Sequence, residues 1–206
     1  MKKFELIAES KINWFGRTLY RIKACIDFTT TSGDEVKAGD FGGYVEKEQN
    51  LSHNGKAWVC GDAKVCGDAE VCGDAKVWGN AEVCGDASIF STKHIFCVTP
   101  IGQYANSLTV FRTKKRELKI SFELETYEVE EFRKAIHDSW DEEYVDIAEG
   151  AISLAKKHID LTPEKSFKDC PFCGGKAELD EDSEVVICTE CGSTAKEEIW
   201  NDRCVD

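Results

Sequence analysis

The sequence predicts a mainly β protein with an α+β part. The expected pieces are a short left-handed parallel β-helix, a domain of strands with two helices, and a C-terminal ribbon built on four cysteines. Three observations predict this. Residues 55–90 repeat with a period of six, residues 94–159 read as strands followed by two amphipathic helices, and four of the 11 cysteines fall into two C-x2-C pairs near the C-terminus.

The repeat reads GKAWVC GDAKVC GDAEVC GDAKVW GNAEVC GDASIF from Gly55 to Phe90. Ala holds the third place of every hexad and Val or Ile the fifth. A helix needs apolar spacing of three or four, and a simple strand needs continuous alternation. A small and a branched residue once per six fits a parallel β-helix, in which each hexad makes one short strand and one corner. Ala and the branched residue then point inward, while Gly and Asp or Asn take the turn conformations. Three hexads make one triangular coil, so residues 18 apart stack at ~4.8 Å. Lys64 is expected over Glu82 as an opposite-charge rung, and Trp58 over Lys76 as a cation–π contact. Cys66 falls over Cys84, Cys60 over Trp78 and Cys72 over Phe90. These cysteines, Cys84 included, read as small outward residues covered by a partner or another domain; metal binding and redox sensing are the sharper alternatives. A Cys66–Cys84 disulfide is within reach of a ladder pair, but a reducing compartment disfavours it.

Two coils expose apolar rungs and unpaired edges, so the flanks must cap them. Upstream, Val36–Ser52 resembles a degenerate first coil, with Val45 and Leu51 set six apart. Downstream, His94–Val98, Leu108–Arg112 and Glu117–Glu123 read as strands. Two helices follow, one with Val129, Phe132 and Ile136 on its apolar face, the other with Tyr144, Ile147, Ala148, Ala151, Ile152, Ala155 and Ile159. The chain thus divides into an N-terminal β cap with the degenerate coil (1–50), the hexapeptide repeat (51–90), an α+β domain of three strands and two helices (91–160), a linker (161–169) and the ribbon (170–206).

The tail supplies the most specific signal, CPFCGG at Cys170–Gly175 and CTECGS at Cys188–Ser193, a C-x2-C-x14-C-x2-C spacing. Each pair sets two thiolates on one tight turn. Two such knuckles complete a tetrahedral site, so Cys170, Cys173, Cys188 and Cys191 are expected to hold one structural Zn²⁺. A redox-active dithiol is the competing reading. Cys204 lies outside the spacing and reads as a spare thiol.

Charge and composition narrow the functions. The 206 residues carry a net charge of −13, with 42% apolar and 10% aromatic content, which argues against disorder. Residues 1–119 hold 17 basic and 15 acidic groups, residues 120–206 only 9 basic against 24 acidic. The second half therefore repels phosphates, and direct nucleic-acid binding is not expected. Glu130, Glu131, Asp138, Glu142, Glu143, Asp146 and Glu149 on the two helices form either a solvated face or an acidic docking surface that mimics DNA. The one locally basic run, Arg112, Lys114, Lys115 and Arg116 with Lys119, reads as a solvated hairpin turn or as a phosphate contact. No apolar run approaches the ~20 residues of a membrane span. The start, MKKFELIAES, breaks its apolar stretch at Glu5 and Glu9, so no signal peptide is expected, and a cytoplasmic setting with reduced or metal-bound thiols follows.

Two resemblances bear on function. CPFCGG, CTECG and WNDR (Trp200–Arg203) are similar to the small zinc-ribbon proteins of the Lar-type restriction alleviation family, over about 35 residues. The remaining chain resembles a family of bacteriophage and prophage hexapeptide-repeat proteins, through TLYRIKA (Thr18–Ala24), KAGDFGGYVEKEQNLS, the V-x-G-D/N-A coils, PIGQYANSLTVFRTKKRELKIS (Pro100–Ser121) and EEF (Glu130–Phe132). The hexapeptide-repeat resemblance implies a phage protein in the host cytoplasm and no particular activity. Taken with the ribbon's likeness and the acidic half, it leads us to expect a non-enzymatic protein that antagonises a host factor, a nucleic-acid-targeting defence such as a restriction or CRISPR nuclease, by protein–protein contact. The alternatives are a sponge for a signalling nucleotide at the basic run, and an acyltransferase of the kind many left-handed hexapeptide helices are. For the latter, His53 and His94 are the histidines near the coils, without an acidic partner evident in sequence. His137 and His158 read, like them, as surface residues. Triangular coils often trimerise on flat faces into a homo-oligomer, and a dimer or a monomer are the alternatives.

Overall fold

Alternating apolar residues at the N-terminus give β1 (Phe4–Ile12) and β2 (Thr18–Ala24), an antiparallel pair that turns Phe4, Leu19 and Ile22 inward. The computed structural model describes residues 2–12, 16–123, 125–162, 170, 172–180 and 185–196. The expected linker lies largely outside these residues, as do Trp200–Arg203 and Cys204. The chain divides into two units, Met1–Thr162 and Pro163–Asp206.

In the first unit, β3 (Phe28–Thr29) and β4 (Glu35–Val36) form a short hairpin, and β5 (Phe41–Val45) runs antiparallel to β2. Each hexad then contributes one two-residue strand: β6 (Trp58–Val59), β7 (Lys64–Val65), β8 (Glu70–Val71), β9 (Lys76–Val77), β10 (Glu82–Val83) and β11 (Ser88–Ile89). They pair in parallel 18 residues apart, β6 with β9, β7 with β10 and β8 with β11. The Trp58 amide donates to the Ala75 carbonyl at 3.0 Å, and those of Lys64 and Glu70 donate to Ala81 and Ala87 at 2.9 Å. All six repeat alanines and all six branched residues are buried in one core. The corners need glycine. At Gly55 φ is +71°, and a Cβ there would stand 2.8 Å from the Gly73 carbonyl oxygen.

The segment before the repeat stacks as an earlier rung, Tyr44 on Lys64, Val45 on Val65 and Leu51 on Val71. The offset there is 20 residues, because eight residues separate Leu51 from Val59 where the repeat uses six. The buried Lys3 ammonium fills this irregularity, donating to the carbonyls of Ala57 at 2.8 Å and Gly55 at 3.3 Å. Burial pushes Lys3 down from 10.5 to about 8.

Lys64 and Glu82 form the expected ion pair at 2.8 Å. Trp58 lies over Lys76 as expected, but its ring is engaged elsewhere. It meets Phe28 edge-on at 5.3 Å, while Lys76 pairs with Asp34 and lies 6.0 Å over Trp78, because the β3–β4 hairpin brings an aromatic ring and a carboxylate onto this face. Cys66 and Cys84 also depart from the reduced, outward reading. A disulfide joins them, and both are buried with Leu19 and Tyr44 of the N-terminal strands. The parallel register sets the two side chains directly one above the other.

Beyond the repeat, β12 (Ile95–Ile101), β13 (Asn106–Arg112), β14 (Leu118–Phe122) and β15 (Glu125–Glu128) form a consecutive antiparallel sheet, followed by α1 (Val129–Ser139) and α2 (Glu142–His158). The sheet has four strands where the sequence predicts three. β15 escapes because Glu125, Thr126, Tyr127 and Glu128 offer no apolar alternation. One face of the sheet, with Leu108, Val110, Ile120 and Phe122, packs on Phe132, Ile136, Ala148 and Ile152 of the helices. The other face covers the last rungs: Phe111 joins the repeat core, the Thr109 hydroxyl accepts the Glu82 amide at 3.1 Å, and the Lys114 amide donates to the Asp86 carbonyl. The inner face of α2 is rotated from the predicted one. Val145 is buried and Ile147 faces outward. Among the described residues no helix is long and apolar enough to cross a membrane.

In the second unit, β16 (Ala177–Asp180), β17 (Val185–Cys188) and β18 (Thr194–Lys196) form an antiparallel sheet with β17 in the middle.

Candidate metal centre

The two C-x2-C turns of the second unit are copies of one backbone device. In the first, the Cys170 amide donates to the Gly175 carbonyl at 2.7 Å and the Gly174 amide to the Cys170 carbonyl at 2.8 Å. In the second, Cys188 donates to Ser193 at 2.8 Å and Gly192 to Cys188 at 3.0 Å. Gly174 and Gly192 sit at φ +73° and +72°, the left-handed region that closes each turn. The amides of Gly175 and Cys191 point at the sulfurs of Cys173 and Cys188, both at 3.4 Å.

These turns bring Cys170, Cys173, Cys188 and Cys191 together with all four sulfurs within 4.8 Å of one another. Across the turns, Cys170 Sγ lies 3.7 Å from Cys191 Sγ and Cys173 Sγ 3.4 Å from Cys188 Sγ. A tetrahedron with metal–sulfur bonds of ~2.3 Å has edges of about 3.8 Å, so the set matches tetrahedral thiolate ligation. The protonation chemistry fits as well. The hydroxyl and amide of Ser193 pull Cys191 down to about 6. At Cys173 the Gly175 amide pulls the same way, but the surrounding sulfurs outweigh it and push that thiol up to about 12. Four thiolates this close would repel one another, so all four could be deprotonated together only around a cation. The site could hold a metal ion on four equivalent ligands. Cys170 and Cys188 are buried beside Val186, while Cys173 and Cys191 are exposed.

The other sequence candidates are distributed differently. Arg112 is a correction: it is 1% exposed, stacked 4.8 Å over the Phe90 ring and bonded to the Thr162 carbonyl. It is buried because both faces of β13 are covered from Leu108 to Arg112. Lys114 pairs with Glu70, and Lys115 and Arg116 are exposed, so no four-cation cluster assembles. Of the seven helix acids, Glu130 pairs with Arg133 at 3.0 Å, and Glu149 with Arg133 at 3.0 Å and His137 at 3.5 Å. The remaining five, Glu131, Asp138, Glu142, Glu143 and Asp146, are exposed and have no ion-pair partner among the described residues.

Two of the histidines correct the surface reading, while His137 and His158 are exposed as expected. His94 is buried against Phe90. His53 is stacked on Phe4 and uses both ring nitrogens: Nδ1 accepts the Lys3 amide at 3.2 Å, and Nε2 faces Glu48 at 2.8 Å. An acidic partner therefore exists, five residues upstream, yet no ring nitrogen is left to act as a base. Sequence reasoning also missed a groove of ≈ 690 Å³ above the Cys66–Cys84 disulfide, walled by Arg17, Asp68, Glu125 and Glu131. Its walls come from stretches far apart in sequence, so no local pattern reveals it. No family model matches the chain, and no curated protein matches it.

Proposed function

We propose that this chain is a non-enzymatic, phage-type binding protein that antagonises a host protein in the cytoplasm, a restriction or CRISPR nuclease, through protein–protein contact. Its repeat is read as a left-handed parallel β-helix, supported by the period of six with three sides per 18-residue turn. Its ribbon is read as holding one Zn²⁺. A four-sulfur tetrahedral set suits zinc or iron, and four protein ligands leave no open position for chemistry, so the ion builds the ribbon and does not react.

The observation that carries the binding reading is the set of five exposed, unpaired carboxylates on α1 and α2, within a half of the chain that holds 24 acidic and 9 basic residues. A nuclease presents basic grooves to nucleic acid, and an uncompensated acidic surface complements such a groove. The nucleotide-sponge reading loses its anchor with Arg112 buried, and the acyltransferase reading loses its base with His53 engaged on both nitrogens.

The test is direct binding and inhibition assays of the purified protein against a panel of restriction and CRISPR nucleases. Inhibition that falls on Asp138→Lys with Glu142→Lys supports the reading. No binding across the panel, or inhibition indifferent to that charge reversal, sinks it. Elemental analysis giving iron in place of one zinc per chain overturns the metal assignment.

A further inference from the structure

The outward side of α2 carries an apolar stripe that the sheet does not use. Ile147 is 49% exposed and Leu154 57%, seven residues apart, and the exposed Leu161 continues the spacing just past the helix end. At ~100° per residue, a step of seven returns to nearly the same line on a helix, the arrangement that lets two helices share a seam. Ile152, in the middle of the face turned to the sheet, lies about 150° round the helix from this line, Ala148 and Ala155 about 110° and 90°, and the buried Ala151 about 50°, at the near margin of that face. The stripe is therefore a second apolar edge on a helix whose first is already packed.

Charge chooses the occupant. The first half of α2 holds Glu142, Glu143, Asp146 and Glu149, and its last turn holds Lys156, Lys157 and His158. A second α2 laid antiparallel sets the acidic half of each helix against the basic end of the other; a parallel copy sets like against like. Glu143 and Lys157 flank the stripe at its two ends, and neither has an ion-pair partner among the described residues. Gly150 sits midway between Ile147 and Leu154. It is exposed, and the space beyond its Cα is open, so two backbones can approach closely there.

We propose that α2 is the seam of a homodimer, two copies crossing antiparallel about a two-fold axis beside Gly150. Ile147 of each copy packs against Leu154 of the other, and Glu143 of each pairs with Lys157 of the other. The interface is isologous, so every contact occurs twice. One helix pair is a small interface, which sets the dissociation constant in the micromolar range. The seam shares Glu143 with the acidic set of the nuclease reading, but its ion pairs do not use Asp138 or Glu142, the two residues whose reversal tests that reading.

The experiment is sedimentation equilibrium of the full, metal-loaded chain up to about 200 µM, a range that brackets a micromolar constant. The wild type is expected to show a monomer–dimer equilibrium that weakens with added salt. Leu154→Glu should be monomeric with an unchanged circular dichroism spectrum. Glu143→Lys and Lys157→Glu should each weaken the dimer about tenfold, because each breaks two symmetry-related pairs, and the double swap should restore it. The swap keeps the proposal testable if Leu154→Glu does not fold. A wild type that stays monomeric throughout, an oligomer indifferent to Leu154→Glu, or a double swap no better than the single variants overturns the proposal. The second of these outcomes moves self-association to the repeat.

Discussion

Sulfur holds neighbouring turns of chain together in both units, but with different company. At Cys66 and Cys84 the rungs are also joined by the Lys64 and Cys66 amides, bonded to Ala81 and Val83 at 2.9 Å, by the Lys64–Glu82 ion pair, and by the buried Val65–Val83 contact. At Cys170, Cys173, Cys188 and Cys191 the surrounding core is little more than Val186, with Ala177 and Ala195 at its margin. The repeat spreads its stability over many equivalent small contacts, so no single atom decides whether it folds. The second unit concentrates it in four sulfurs that could hold a metal ion.

The largest break in this comparison comes from the ribbon. Cys188→Ser, or removal of the metal by a strong chelator, should unfold residues 170–196 and leave the first unit intact, because structural zinc supplies ~10 kcal/mol or more in modules of this size. Amide chemical shifts resolve the two units, and a global unfolding on chelation would contradict the comparison. Next comes the disulfide. Cys84→Ser should cost the first unit about 3 kcal/mol through the entropy of an 18-residue loop, lowering its melting point by roughly 6 to 12 °C without loss of the folded state. Val65→Ala, in the middle of three stacked rungs, should cost about 2 kcal/mol, showing how little any one branched residue carries.

The smallest effect is the most specific. Lys3→Met leaves the Ala57 and Gly55 carbonyls without their donor and should cost about 1 kcal/mol at pH 7. It should also remove a pH dependence. The folded state holds Lys3 at about 8 and the unfolded chain near 10.5, so between these values the unfolded state binds more protons. Stability of the wild type, measured against Lys3→Met, should therefore rise across that window and stay level below it. Equal slopes for the two proteins would sever the link between the buried lysine and the rung irregularity.

Much of the repeat was legible because its register is local arithmetic. A period of six read three times per turn fixes Lys64 on Glu82 and Cys66 on Cys84 before any coordinates. The two knuckles were equally legible, since C-x2-C with a following glycine closes the same turn twice. What escaped depends on distant parts of the chain meeting. Tyr44 and Leu19 bury the Cys66–Cys84 pair from the N-terminal side, and Glu48 reaches His53 only because the short helical turn Glu48–Asn50 folds it back. Arg112 shows the same limit at one position. Its neighbours in sequence are cations in water, but its place on β13 turns it under Phe90.

The stacked rungs have a consequence for how the chain could change in length. On the triangular β-helix proposed above, each hexad advances the path by one side of the triangle, and the sheet from β12 to β15 rests on the last rung. Removing three hexads would lower that sheet by one rung, ~4.8 Å, and leave it facing the same way. Removing one would swing it a third of a turn, carrying both helices to another side of the molecule. The repeat thus acts as an indexing gear. Whole turns alter the reach of the helices, single hexads alter their heading, and the N-terminal strands need not change in either case.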